Sequence, residues 1–334
     1  MTTEARTTPH QPRSPSLREV MIAALDSAIR APSTHNTQPW IFGFEDDPPA
    51  ITLHADDTRA LAVADPSGRE LFISCGTVLH HLRVALAARG RTCRVERLPD
   101  PTDPNFVARV TIGAERAPTA DERALEEAIH NRSTDNGQFR DDVVQESFER
   151  ALEHAVRAEG ASLAVLTEES ARAHIAELVA IADRVQGGDS QFREELAQWL
   201  RSGLSDKRDG MLVDGAVGVV LPWIVRTFDR GDGEAARDRE LIVDGTPALA
   251  LISTQTDTPM DWIRAGESLS ALLLRVVVER WSVSYFAQVV EVESTRAAIQ
   301  AMADGKYVQL VLRLGRGQHG RKSLRRPVRD MLRG

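Results

Sequence analysis

The sequence predicts an α+β protein built from two similar halves, and three observations carry that expectation. The first is a pair of amphipathic helical runs 127 positions apart, ALDSAIRA at Ala24–Ala31 and ALEHAVRA at Ala151–Ala158. Both place Ala, Leu and Ile or Val at helical spacing. The second is a longer pair 190 positions apart. Gly76-x-x-Leu79-x-x-Leu82 opens the run through HHLRVALAARG, and Gly266-x-x-Leu269-x-x-Leu272 opens ALLLRVVVERW. The third is that each long run leads to a strand-like segment ending in glycine, Phe106–Gly113 and Val308–Gly315. Two pairs in the same order, each closing on a similar strand, are the mark of an internal repeat.

A chain of 334 residues is long enough for about two domains. Residues 1–16, rich in Thr, Pro and Arg, read as a mobile arm. The first half is placed at 17–125 and the second at 126–334. Within the first, Trp40–Phe44 and Ile51–Ala55 read as short strands around the turn EDDPP. In the second, a helix over 145–158 precedes a strand at Ser162–Leu166, a helix at Glu168–Asp183 and a buried strand at Ala248–Thr254. The offset grows from 127 to 190 between the two pairs, so the second half holds extra material, placed at about 183–244. That stretch is rich in Gly and charge and contains the apolar run Met211–Val225. Loops of this length are functional or disordered.

Composition excludes several classes. A net charge of −8 disfavours general nucleic-acid binding, and aromatics at 5% disfavour a base-stacking platform. Two cysteines, Cys75 and Cys93, cannot make a disulfide scaffold or a four-thiolate zinc site. No uninterrupted apolar stretch reaches the roughly 18 residues of a membrane span, and the N-terminus has no secretory pattern. A cytoplasmic protein with reduced thiols is expected. His80 and His81 are neighbours on a helix, a poor metal pair, and no metal is expected. No nucleophile elbow and no G-x-G-x-x-G after a strand is present.

The most specific run is APSTHNTQPW at Ala31–Trp40. Pro32 stops the preceding helix, and six hydrogen-bonding side chains from Ser33 to Gln38 crowd one turn. Read from composition alone, it is a turn that satisfies its own backbone, or one that grips a polyol and the edge of a heteroaromatic ring. This run resembles the flavin-binding turn of the FMN-dependent nitroreductase superfamily, and in particular its actinobacterial, dormancy-associated Acg-like branch. DPSGRELFISC at Asp65–Cys75, DWIRAGESLSALLL at Asp261–Leu274 and LRRPVRDML at Leu324–Leu332 resemble the same branch.

The resemblance implies a nitroreductase-like fold whose tandem halves form an intramolecular pseudo-dimer, hence a monomer. It implies FMN as cofactor, with Ser33, Thr34, Asn36 and Gln38 as first-half contacts. Arg132 and Thr134 match the family's phosphate loop, while Asp135 and Asn136 depart from it. Arg325 is the favoured basic ligand from the C-terminal segment, with Lys322 and Arg326 beside it, and Gln288 is placed at the isoalloxazine. The first half lacks an equivalent phosphate loop, so one FMN per chain is expected. The implied activity is hydride transfer from NAD(P)H to flavin and on to an electrophilic small-molecule acceptor, a nitroarene or quinone. The chemistry then belongs to the flavin and names no catalytic side chain. The alternative is an FMN storage or sequestration protein with little turnover, with the 183–244 stretch as a lid.

Overall fold

The computed structural model describes residues 15–134, 139–140, 142–202, 205–213, 248–317 and 322–333. Helix α1 (Leu17–Ala28) begins at a capping box, in which Ser16 and Glu19 satisfy each other's backbone N–H. The polar turn follows, then the hairpin β1 (Trp40–Asp46) and β2 (Pro49–Ala55), helix α2 (Arg69–Ala88), β3 (Arg91–Arg97) and β4 (Phe106–Glu115). The four strands form an antiparallel sheet in the order β1-β2-β4-β3. After α3 (Ala120–Asn131) the second half repeats the plan. Helix α4 (Glu146–Ala158) leads to β5 (Ser162–Leu166). Next come an insertion, β8 (Ala248–Thr254), helix α7 (Pro259–Val278), β9 (Ser282–Tyr285), the short helices α8 (Gln288–Glu291) and α9 (Glu293–Gln300), and β10 (Tyr307–Gly315). This sheet runs β5-β8-β10-β9, again antiparallel. The topology matches the first sheet strand for strand. The runs spaced by 127 residues are α1 and α4; those spaced by 190 are α2 and α7.

Helices α2 and α7 are the centre of the molecule. They pack along each other, α2 against the first apolar core and α7 against the second. Among the described residues α2 is the one helix long and apolar enough to cross a bilayer, and its apolar surface is buried inside the protein. The C-terminal segment leaves the second sheet and returns to the first. There Trp40 Nε1 donates to Met331 Sδ at 3.2 Å, and the Arg333 N–H donates to the Phe42 carbonyl at 2.8 Å. This return path brings residues 322–326 beside the polar turn.

Two boundaries differ from the sequence reading. The division between 125 and 126 falls inside α3, a helix capped by Thr119 and Glu122 that packs on both α2 and α7 and joins neither sheet. The extra material of the second half starts directly after β5, not at 183. Helix α5 (Glu169–Gly188), helix α6 (Ser190–Gln198) and the parallel pair β6 (Leu200–Ser202) and β7 (Met211–Val213) have no counterpart between β1 and β2. Residues 214–244 of that stretch, like Asp135 and Asn136, lie outside the described residues.

Candidate functional site

A cavity of about 520 Å³ lies where the polar turn, α2, α3, α5, α8 and the C-terminal segment meet. The turn enters it in an unusual backbone conformation. His35, Asn36 and Gln38 have φ of 49°, 55° and 52°, left-handed values tolerated best by Asn among non-glycine residues. Hydrogen bonds hold this shape. The Gln38 N–H donates to Ser33 Oγ at 2.9 Å, and Thr34 Oγ1 donates to Glu70 Oε2 at 2.8 Å.

The cavity wall is divided by charge. Arg30, Arg132, Lys322 and Arg325 line one part. Arg132 sits at the C-terminal cap of α3, where the chain turns out of the helix. Its Nε and Nη1 are buried and have no hydrogen-bond partner among the described residues, and the same holds for Arg325 Nε. Arg325 Nη1 donates to Asn36 Oδ1 at 2.8 Å, and its Nη2 donates to the carbonyls of Ala31 at 3.0 Å and Arg30 at 3.2 Å. Burial pushes Arg325 down to about 9, and the charges of Arg132 and Arg30 add to the fall. Neither Arg132 nor Arg325 meets a carboxylate among the described ion pairs.

Glu70, Asp183 and Glu291 line another part. Glu70 is paired with Arg69, its neighbour on α2. Glu291 Oε2 accepts from Gln186 Nε2 at 2.7 Å, and Gln288 Nε2 donates to Asp183 Oδ1 at 3.1 Å. Two hydrogen bonds thus fasten α5 of the insertion to α8. The rest of the wall is apolar, with Ile73, Phe192, Leu196, Leu269 and Leu310 prominent. Buried His35, its Nδ1 without a partner among the described residues, is pushed down to about 4 by desolvation and is neutral at pH 7.

No family model matches the chain. Relatives from Mycobacterium tuberculosis strain H37Rv do. The protein named "Putative NAD(P)H nitroreductase acg" is 30% identical over 294 residues, covering 85% of each chain. "Putative NAD(P)H nitroreductase Rv3131" is 33% identical over 311 residues, 92% of this chain and 86% of that one. The chain belongs to this nitroreductase family, in its Acg-like branch. Among solved structures, the FMN-dependent nitroreductase NfnB from Mycobacterium smegmatis in complex with NADPH aligns over 59% of this chain and 88% of its own. That alignment has 15% identity and a TM-score of 0.36, too low to support a conclusion.

The cavity gathers eight of the residues singled out from sequence: Ser33, Thr34, Asn36, Arg132, Thr134, Gln288, Lys322 and Arg325. Gln38 and Arg326 are corrections. Gln38 is fully buried away from the cavity; its Nε2 donates to the Arg208 carbonyl at 2.9 Å and its Oε1 accepts from the Arg326 N–H at 2.8 Å. Arg326 reaches the Asp330 carbonyl at 2.7 Å. Both tie segments together. Asn36 lines the cavity but spends its amide on the Gly210 carbonyl at 2.9 Å and on Arg325. The Gly210 N–H returns a bond to the Asn36 carbonyl at 3.1 Å, so Gly210 clamps the insertion to the turn.

His80 and His81 are buried, and both Nδ1 atoms lie 2.7 Å from Ser270 Oγ. They join α2 to α7. No group of three metal-ligating side chains forms among the described residues. The sequence reading missed Glu70, Asp183, Gln186 and Glu291. They come from three helices far apart in the chain, and no local spacing joins them.

Proposed function

We propose that the chain is an FMN-dependent oxidoreductase that uses NAD(P)H to reduce a small electrophile, a nitroarene or a quinone. One observation carries the cofactor: two guanidinium groups, Arg132 and Arg325, share a cavity wall, and among the described residues buried N–H donors of both lack a partner and neither meets a carboxylate. Like charges held in a partly dry wall are costly unless an anion joins them. A phosphate monoester supplies two negative charges and acceptor oxygens suited to the guanidinium fork. Lys322 and Arg30 add positive potential, and Ile73, Leu269, Leu310 and Phe192 offer apolar surface to a flat ring. These features fit FMN. Bound FMN would supply the hydride chemistry, and the chain would bind it, orient it and exclude water.

The cavity draws on both halves, so FMN would lie between them as it lies between two subunits in a dimeric nitroreductase. The fused halves already cover each other, which supports a monomer. Described residues of the insertion, Asp183, Gln186, Phe192, Leu196, Met211 and Leu212, wall the cavity and support its reading as a cover. The names of the relatives point to NAD(P)H as donor.

The test is anaerobic mixing of the FMN-loaded protein with NADPH or NADH in a stopped-flow instrument. Loss of flavin absorbance within seconds is expected. Bound FMN that neither nucleotide reduces would favour storage, and a protein that takes up no FMN would reject both.

A further inference from the structure

We propose that Glu291 is the acid that delivers a proton to the electron acceptor, an inference that rests on the oxidoreductase reading above. The geometry starts with its two oxygens. Oε2 is committed as an acceptor to Gln186 Nε2 at 2.7 Å. Oε1 is buried and has no partner among the described residues. A carboxyl in this setting keeps its proton on Oε1, and no described side chain accepts it. The hydrogen bond is left for whatever occupies the cavity that Glu291 lines.

The surroundings hold that proton in place. Helix α8 packs on α5, α9 and β10. The charged groups acting on Glu291 are Glu70 and Arg69 of α2 and Asp65 of the turn before it, while α5 presents Asp183 nearby in the same wall. Arg296 of α9 is held by Asp257, and Arg313 of β10 lies over the Phe139 ring. Glu70, paired with Arg69, stands against a second negative charge at Glu291. Desolvation first, then Glu70, pushes Glu291 up to about 8. It is therefore protonated at pH 7 and able to give the proton up, the range that suits a general acid. Arg132 and Arg30 act on Arg325, while the charges named on this carboxyl come from Glu70, Arg69 and Asp65.

The step balances for a quinone or a nitro group. The acceptor gains two electrons and a hydrogen as hydride, which NAD(P)H supplies through the cofactor. It gains a proton from Glu291 as the carboxyl O–H bond breaks and an O–H bond forms on the acceptor oxygen. The quinone leaves as hydroquinone; the nitro group, having gained the hydride and that one proton, loses water and leaves as nitroso. The carboxylate is reprotonated from water.

The test has two parts. In cofactor-free protein, the infrared carbonyl band of protonated Glu291 should titrate near pH 8 and be missing from Glu291→Gln. In FMN-loaded protein, Glu291→Gln should be reduced by NAD(P)H at the wild-type rate, and its reoxidation by ferricyanide, which takes no proton, should be unaltered. Reoxidation by a quinone should slow on the order of 100-fold at pH 7, and Glu291→Asp should recover part of that loss. The wild-type quinone step should fall as pH rises through about 8, and Glu291→Gln should lose this limb. A Glu291→Gln protein that reduces quinone at the wild-type rate and pH profile, or a band already lost below pH 6, overturns the proposal. Failure of NAD(P)H to reduce the wild-type flavin would instead overturn the oxidoreductase reading.

Discussion

Gly76 of α2 and Gly266 of α7 face each other across the helix crossing, each against the backbone of the other helix. A Cβ on Gly76 would stand 2.1 Å from the Ile263 carbonyl oxygen, and one on Gly266 would stand 2.0 Å from that of Ile73. The two contacts mirror each other, because Gly76 and Ile73 carry the same 190-residue offset as Gly266 and Ile263. The repeat read from sequence is therefore a pseudo-twofold contact in space, with its axis passing between two glycines. No other residue lets the backbones approach so closely.

Gly76→Ala should force α2 and α7 apart. Overpacking of this kind costs about 1–3 kcal/mol, more where the neighbour is backbone. Thermal unfolding should show a lowered midpoint, and the cavity between the halves should loosen with it. An unchanged midpoint would show that the crossing is not tight.

The cationic wall makes a separate prediction. Arg132→Ala removes a charge-assisted hydrogen bond to phosphate, a loss of about 1.5–3 kcal/mol, read as weaker FMN binding in a calorimetric titration. Ser133→Ala, in the next residue, should change affinity far less. Equal affinity of wild type and Arg132→Ala would place the phosphate elsewhere.

Stoichiometry follows from the broken symmetry. Thr77 of α2 lines the cavity, and its counterpart 190 residues on is Glu267 of α7. Glu267 is fully buried and accepts from Arg97 Nε at 2.6 Å, Arg97 Nη2 at 2.9 Å and Arg83 Nη1 at 2.9 Å. Ion pairs occupy the place where a second cofactor would lie. One FMN per chain is expected from flavin absorbance against protein concentration; two would contradict it.

Stability should carry the signature of Glu291. Its folded-state value lies above its ordinary value of 4.5, at about 8, so the folded protein binds the extra proton between these limits. Stability from this group is full at low pH and falls as pH rises through that window. The slope is at most about 1.4 kcal/mol per pH unit for one proton. The stability difference between wild type and Glu291→Gln, from urea unfolding at several pH values, should decline from pH 5 to pH 8. A constant difference would mean that Glu291 titrates normally.

Much of this arrangement is legible in the sequence, for physical reasons. The strand Ser162–Leu166 and the buried strand Ala248–Thr254 are bounded apolar runs, and both form with those limits. The repeat is visible because the same helix crossing demands small residues and leucines at the same spacing twice. Arg132 and Arg325 stand in local patterns, so both could be named. What escapes is set by tertiary partners. Gln38 turns away from the cavity because Arg208 and Arg326 reach its amide from segments 170 and 288 residues distant. The acidic part of the wall depends on how α5 and α8 dock, which no local window contains.

The central claim is that the cavity between the halves holds FMN by its phosphate. Parallel calorimetric titrations of the cofactor-free protein with FMN and with riboflavin, which lacks the phosphate, test it most directly. Two guanidinium groups lose their anion in the second case, and at about 1.5–3 kcal/mol for each charge-assisted bond FMN should bind at least about 100-fold tighter. Added salt should narrow the gap. Equal affinities for FMN and riboflavin, or binding of neither, would contradict the account.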